Sequence, residues 1–174
     1  HIKYGYIYED SYFVIKIASG FWENEKYGIP TGQGIMLLFN QKTGVPEAIL
    51  LDEGLLTDIR TAIAGLICAK KFAHQIDCIG VIGTGVQARM QVEYLKEITQ
   101  CRDIIIWGRD TKKSEIYKSY MEEKGYEVRI SKSPKDLAKL CNLIITATAS
   151  NEPLILADHI VPGTVITAVG SDAV

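Results

Sequence analysis

The sequence predicts an α/β fold, a doubly wound parallel sheet with a smaller, strand-rich second domain. Three observations predict it. Beyond residue 54, short apolar runs alternate with helical patterns, the mark of a parallel sheet covered by helices on both faces. Before that point, aromatic and β-branched residues come in short runs separated by turn residues. Where one apolar run gives way to a helix stands Gly83-Thr84-Gly85-Val86-Gln87-Ala88. The expected division is a strand-rich part over 1–54 and a parallel-sheet domain over 55–174.

In the first part, strands are expected at 4–8 and 12–17, with Glu9-Asp10-Ser11 turning between them. A second pair, 34–39 and 48–51, is joined around Asn40-Gln41-Lys42-Thr43-Gly44. Residues 19–31 carry glycine and proline without a period and read as a loop, long enough to be of functional interest. A helix follows over 55–72, where Leu56, Ile59, Ile63, Leu66 and Ile67 recur at three- and four-residue intervals and give one apolar face. Strands are then expected at 79–82, 104–107, 127–130, 143–146 and 165–169. The helices between them span 86–98, 111–124 and 134–140, the last capped by Ser133 with Pro134 in its first turn.

Composition excludes several classes of function. A formal charge of −2 gives no general attraction to nucleic acid or to an anionic membrane. No apolar run approaches the roughly 20 residues of a membrane span, and no secretory signal is visible. The expectation is a cytoplasmic protein with no nucleic-acid and no membrane partner. Cys68, Cys78, Cys101 and Cys141 lie far apart and read as small buried hydrophobes in a reducing compartment. His1, His74 and His159 show no metal-ligand spacing, so no metal is expected. The chain begins without a methionine and stops at Val174 directly after an apolar run, which reads as a piece incomplete at both ends.

The glycine pattern follows a strand and opens a helix, the context in which it binds a dinucleotide pyrophosphate. Gly83 permits the tight turn, Gly85 lets the backbone approach the anion, and Ala88 lets the helix pack closely on its strand. Thr84, Val86 and Gln87 complete the turn, and the first N–H groups of the helix face the negative charge. Just past the next strand, where NAD-binding units carry an acid for the ribose hydroxyl, stands Gly108, followed by Arg109 and Asp110. A glycine cannot play the acid's part, whereas an arginine can grip a 2′-phosphate. The pattern favours NADP(H), with NAD(H) as the alternative. In the plainer reading, Arg109 is a solvated residue at a helix start and Asp110 its N-cap or the ribose acid. Candidate cofactor contacts also include Thr146, Thr148, Val169 and Gly170, near the ends of later strands.

Three further stretches are distinctive: residues 13–20 (FVIKIASG), residues 55–62 (LLTDIRTA) and residues 168–173 (AVGSDA). Together with the glycine turn and Thr31, their order and spacing resemble the ornithine cyclodeaminase/mu-crystallin family along essentially the whole chain. That resemblance implies hydride exchange at the nitrogen-bearing carbon of a small amino or imino acid, and a homodimer formed through the strand-rich part. It places Lys16 and Arg60 as cations for the substrate carboxylate and Thr31 and Arg60 beside the cofactor. Asp172 becomes the acid/base, with Lys16 in the same catalytic set. In purely physical terms, Lys16 interrupts an apolar strand and either meets an anion or points to solvent. Arg60 stands near a helix start, where the dipole disfavours a cation; it answers either a nearby anion or a surface salt bridge. Thr31 is otherwise a loop residue after Pro30, and Asp172 a turn or cap aspartate.

Within that family, the run Trp107-Gly108-Arg109-Asp110 resembles ketimine reductase or ectoine-degradation branches more than the NAD-using cyclodeaminase. Conversion of ornithine to proline and ammonia, a lyase activity, is the alternative implied, and a non-catalytic NADPH-dependent ligand binder is another. Family members continue past the aspartate with Pro-Gly-Lys-Gln-Glu, and an upstream segment supplies a further substrate arginine; neither is in these 174 residues.

Overall fold

The computed structural model describes residues 1–169 and, at Trp22 and Glu25, the backbone alone. Gly170 and Asp172, both expected in the site, lie outside the described residues. Two compact units are present, His1–Ile59 and a second beginning at Arg60.

The first unit is an antiparallel sheet of β1 (Ile2–Tyr6), β2 (Tyr12–Gly20), β3 (Gly32–Asn40) and β4 (Pro46–Leu50), in chain order. The strand β1 ends earlier than residue 8 because Ile7 already belongs to the turn: its carbonyl accepts from the Asp10 N–H at 3.1 Å, and Glu9 has a φ of 66°. Ladder bonds need no side chains, so β2 and β3 stay in register beyond their apolar runs, from Tyr12 opposite Asn40 to Gly20 opposite Gly32. The expected loop is correspondingly shorter and contains a 3-10 turn, Trp22–Tyr27. It closes on itself, with the Phe21 N–H donating to the Thr31 carbonyl at 2.9 Å and Asn24 Nδ2 to the Pro30 carbonyl at 3.0 Å. Phe13 and Phe39 stack at 4.9 Å on one face of this sheet. Asn40 Oδ1 turns β3 into β4 by accepting from the N–H groups of Lys42 and Thr43.

The second unit is a parallel sheet of β5 (Ile79–Ile82), β6 (Asp103–Trp107), β7 (Glu127–Ile130), β8 (Leu143–Thr146) and β9 (Val165–Ala168). Its spatial order is β7-β6-β5-β8-β9, every neighbouring pair parallel. The helices are α1 (Leu55–Phe72), which spans the unit boundary, α2 (Val86–Tyr94), α3 (Thr111–Glu122) and α4 (Pro134–Ala138). A 3-10 turn, Leu95–Glu97, closes α2 where the sequence pattern predicts continued helix. No helix among the described residues is long and apolar enough to cross a membrane.

The alternation of strand side chains decides which helix covers which face. Ile79, Val81, Ile104, Ile106, Leu143 and Ile145 pack with Ala88, Val92, Tyr117 and Met121 from α2 and α3. On the opposite face, Ile82, Ile105 and Ile144 meet Leu137, Ala138 and Cys141, the first two from α4. The sheet is therefore wound on both sides. Gly80 sets the α4 face: a Cβ there would stand 2.6 Å from Leu137 Cδ2 and 3.0 Å from Cys141 Cβ. Ser133 caps α4 as its sequence predicts, accepting from the Asp136 N–H at 3.1 Å.

The face of α1 differs from expectation. Its buried residues are Ala62, Gly65 and Ala69, while Ile63 and Ile67 are 36% and 59% exposed. Small residues win because the neighbouring side chain is close: a Cβ on Gly65 would collide with Gln91 Oε1 of α2. Gln91 is buried there, and neither amide atom has a hydrogen-bond partner among the described residues. The cysteines divide likewise. Cys78 and Cys141 are buried with their Sγ atoms 3.5 Å apart, Cys101 is half-buried, and Cys68 is exposed, unlike the buried role expected of it. The contact with Cys78, followed by burial, pushes the Cys141 thiol well above its ordinary pKa.

Gly80→Ala is expected to lower unfolding free energy by about 1–3 kcal/mol through overpacking against Leu137 and Cys141. A fall in the urea midpoint at unchanged m-value would register it; an unchanged midpoint would show that α4 can yield.

Candidate functional site

The turn after β5 is fixed by its neighbours on both sides. The Gly83 N–H donates to the Trp107 carbonyl at 2.9 Å, and the Ala147 N–H donates to the Ile82 carbonyl at 2.8 Å. Gly83 has a φ of 116°, a conformation L side chains rarely adopt, and a Cβ there would strike the carbonyl oxygen of Ala147. Glycine is thus required twice over at this position. Gly85 is the N-cap of α2, and a Cβ on it would meet nothing within 4 Å. Among the described residues no side chain caps this helix, and its first turn carries no acid. Val86 is exposed and Gln87 half-buried beside them. Behind the turn, Ala88 is fully buried and its carbonyl accepts from the Tyr117 hydroxyl at 3.2 Å. Burial pushes the Tyr117 phenol well above its ordinary pKa, which keeps it a neutral donor.

The adjoining connection, from β6 to α3, holds the second group of candidates. Gly108 follows β6 directly, and Arg109 is exposed next to it. Asp110 is the N-cap of α3, its Oδ1 accepting from the Lys112 N–H at 2.8 Å and the Lys113 N–H at 3.3 Å. On the other side of β5, Thr146 closes β8, and its carbonyl accepts from the Val169 N–H at 3.0 Å. Thr148 Oγ1 accepts from the Ser150 N–H at 3.4 Å, and Thr148 Cγ2 would stand 3.2 Å from a Cβ on Gly83. Residues 83–88, 108–110, 146–148 and Val169 therefore gather at the C-terminal edge of β6, β5, β8 and β9. Strand order reverses about β5, and open α/β sheets bind ligands at that end of such a reversal. An uncapped helix start beside a backbone with room for an anion fits a dinucleotide pyrophosphate.

In the first unit, Lys16 is half-buried on β2, paired with Lys3 on β1 and Met36 on β3. Residues directly opposite in an antiparallel pair share a face, so the two lysines lie on one face of the sheet. Gly5, one step along that face, leaves open space. Asp52 Oδ1 approaches the same face beside Gly34, at 3.5 Å from the place of a Cβ, while its Oδ2 accepts from the Leu56 N–H at 2.7 Å. Thr31 is half-buried immediately before β3, and the next residue, Gly32, faces Gly54 across a gap of 3.4 Å from its carbonyl carbon to the place of a Cβ on Gly54. Arg60 is exposed early in α1. Among the described residues, no three His, Cys, Asp or Glu side chains are grouped to hold a metal ion.

Sequence reasoning did not single out Lys3 or Ser114. Lys3 emerges only from the β1–β2 register. Ser114 emerges only from packing, although its place in the first turn of α3 is a clue in hindsight.

Residues 5–174 match the ornithine cyclodeaminase/mu-crystallin family. An uncharacterized cyclodeaminase of Sinorhizobium fredii is 37% identical over 174 residues, 99% of this chain and 53% of that protein. The alanine dehydrogenase of Archaeoglobus fulgidus is 33% identical over 150 residues, 86% of this chain and 46% of that protein. Among solved structures, the Delta(1)-pyrroline-2-carboxylate reductase of Thermococcus litoralis, in complex with NADH and L-proline, superposes with a TM-score of 0.83 at 27% identity, covering 97% of this chain and 57% of that one. The chain spans about half the length of the curated relatives it matches.

Asp110→Ala is expected to cost about 1 kcal/mol of stability, the usual worth of an N-cap, by releasing the Lys112 and Lys113 N–H groups. Chemical denaturation would measure the loss, and an unaltered stability would deny Asp110 the capping role.

Proposed function

The chain belongs to the ornithine cyclodeaminase/mu-crystallin family, and on that premise we propose that it is the cofactor-holding part of an NAD(P)-dependent oxidoreductase acting on a small amino or imino acid. The preferred activity is reduction of a cyclic ketimine such as a pyrroline carboxylate, or a related step in ectoine degradation. The observation that carries the reading is the glycine turn itself. It presents an uncapped α2 N-terminus and a side-chain-free approach at Gly85, on the ligand-binding edge of the sheet.

A nicotinamide cofactor, when bound, supplies or accepts the hydride. The chain's own residues bind and orient. Residues 83–88 hold the pyrophosphate, and Thr146, Thr148, Val169 and Gly170 line the other half of the cofactor. Arg109 meets a 2′-phosphate, which makes NADP(H) the preferred cofactor over NAD(H). The Thermococcus relative binds NADH; the preference for NADP(H) rests on Gly108 and Arg109 of this chain. Lys16 and Arg60 hold the substrate carboxylate, Thr31 and Arg60 flank the cofactor, and Asp172 moves the proton to or from nitrogen. Residues 1–54 form the substrate-binding and dimerisation part and residues 55–174 the cofactor domain of a cytoplasmic homodimer.

The pairing of Lys3 with Lys16 favours the reductase over the cyclodeaminase. A second ammonium group on the face assigned to the substrate repels the cationic side chain of ornithine, whereas a cyclic imine presents no such charge.

With the full-length protein, NADPH oxidation over a panel of cyclic imines, pyrroline-2-carboxylate included, is the decisive assay. Turnover is expected, and Asp172→Asn is expected to lower kcat by about 10²- to 10⁴-fold, the usual contribution of a general acid or base. Turnover that survives this change would remove Asp172 from the mechanism. NADPH binding without any turnover would make the protein a ligand binder instead. Lys3→Glu is expected to raise kcat/KM for ornithine relative to the imine by about fivefold, equivalent to about 1 kcal/mol; an unchanged ratio would place Lys3 away from the substrate.

A further inference from the structure

We propose that Ser114 and Thr84 bar any side chain from position 108, and so bias the site toward a 2′-phosphorylated dinucleotide. The inference rests on the reading of residues 83–88 as the dinucleotide turn. A carboxylate just beyond the second strand is what such folds use to hold a free ribose 2′-OH. Gly108 occupies that place, directly after β6.

A Cβ on Gly108 would stand 2.7 Å from Ser114 Oγ and 2.7 Å from Thr84 Cγ2, inside any contact that a carbon atom tolerates. Neither neighbour can withdraw easily. Ser114 is 1% exposed, and its Oγ donates to the Asp110 carbonyl at 3.1 Å, one of the bonds that start α3. Thr84 is β-branched and stiff at χ1, and it sits between Gly83, which is fastened to Trp107, and the N-cap Gly85.

A carboxylate at position 108 has two ways to fit. Displacing Ser114 would disturb the start of α3 and with it the Asp110 cap. Displacing Thr84 would move the turn that holds the pyrophosphate. Either outcome harms binding of both cofactor forms before the new carboxylate can help one of them. A cofactor with a bare 2′-OH is thereby denied its acceptor, while a 2′-phosphate loses nothing and finds the exposed Arg109 next along the chain. Ser114 is a positioning residue here, acting through Gly108 and Thr84.

The test uses the full-length protein, with nicotinamide fluorescence giving Kd for NADPH and NADH, and thermal unfolding reporting the fold. Gly108→Asp alone is expected to weaken both cofactors by about tenfold or more and to lower Tm. Adding Thr84→Ala and Ser114→Ala in the same chain is expected to tighten NADH by about tenfold relative to Gly108→Asp, with NADPH left weak. Tighter NADH binding from Gly108→Asp alone would overturn the proposal, and so would a folded triple variant no better than the single one. If Gly108→Asp does not fold, Gly108→Ala decides the matter: a Tm loss recovered by Thr84→Ala with Ser114→Ala supports the packing, and simple additivity overturns it. Equal binding of NADPH and NADH by the unaltered protein would overturn the assignment of Arg109, and binding of neither would overturn the dinucleotide reading; the thermal cycle at Gly108→Ala decides the packing in both cases.

Discussion

The ligand edge of the parallel sheet depends on one close approach, the backbone of Gly83 against the carbonyl of Ala147. That contact brings the turn after β5 under the strand end of β8, and the bond from Gly83 to Trp107 ties the same turn to β6. Three strand ends are thereby fastened around one residue that has no side chain and a φ of 116°. The open start of α2 follows directly from this arrangement. The start of α2 is positioned by a turn that the sheet holds on both sides.

The helices on both faces of the sheet depend on similar absences. Gly80 lets α4 settle against β5, and Gly65 with Ala62 and Ala69 lets α1 lie close to α2. Close packing of this kind leaves little tolerance for added volume. It also explains why the larger residues of α1 were misleading: hydrophobicity indicated Ile63 and Ile67, but proximity to Gln91 selected the small ones. In the antiparallel unit the corresponding constraint is register. One unbroken ladder from Tyr12 to Gly20 fixes which side chains share a face, and its neighbour β1 thereby places Lys3 beside Lys16.

Much of this was legible in the sequence, and the exceptions share a cause. The glycine turn, the five parallel strands and the Ser133 cap carry local signatures, each written in a handful of adjacent residues. Family resemblance added Lys16, Thr31 and Arg60, which no local pattern would have raised above alternative surface roles. The surroundings of Lys3 and Ser114 carry no local signature, because strand pairing and side-chain packing bring them together with residues distant in the chain. The turn at Ile7–Asp10 was similarly masked, since Ile7 and Tyr8 continue the composition of a strand while the backbone has already left it.

The strand order has a consequence for how the protein is made. β5 lies in the middle of its sheet, yet β8, one of its two partners, belongs to a much later stretch of the chain. On a ribosome, the glycine turn emerges well before Ala147 and must wait without the neighbour that seats it. An exposed β5 edge, apolar along its whole length, persists through that interval. Until β8 arrives, the nascent chain carries a strand edge that the finished sheet buries beside a turn that is not yet seated. The arrival of β8 ends both conditions at once.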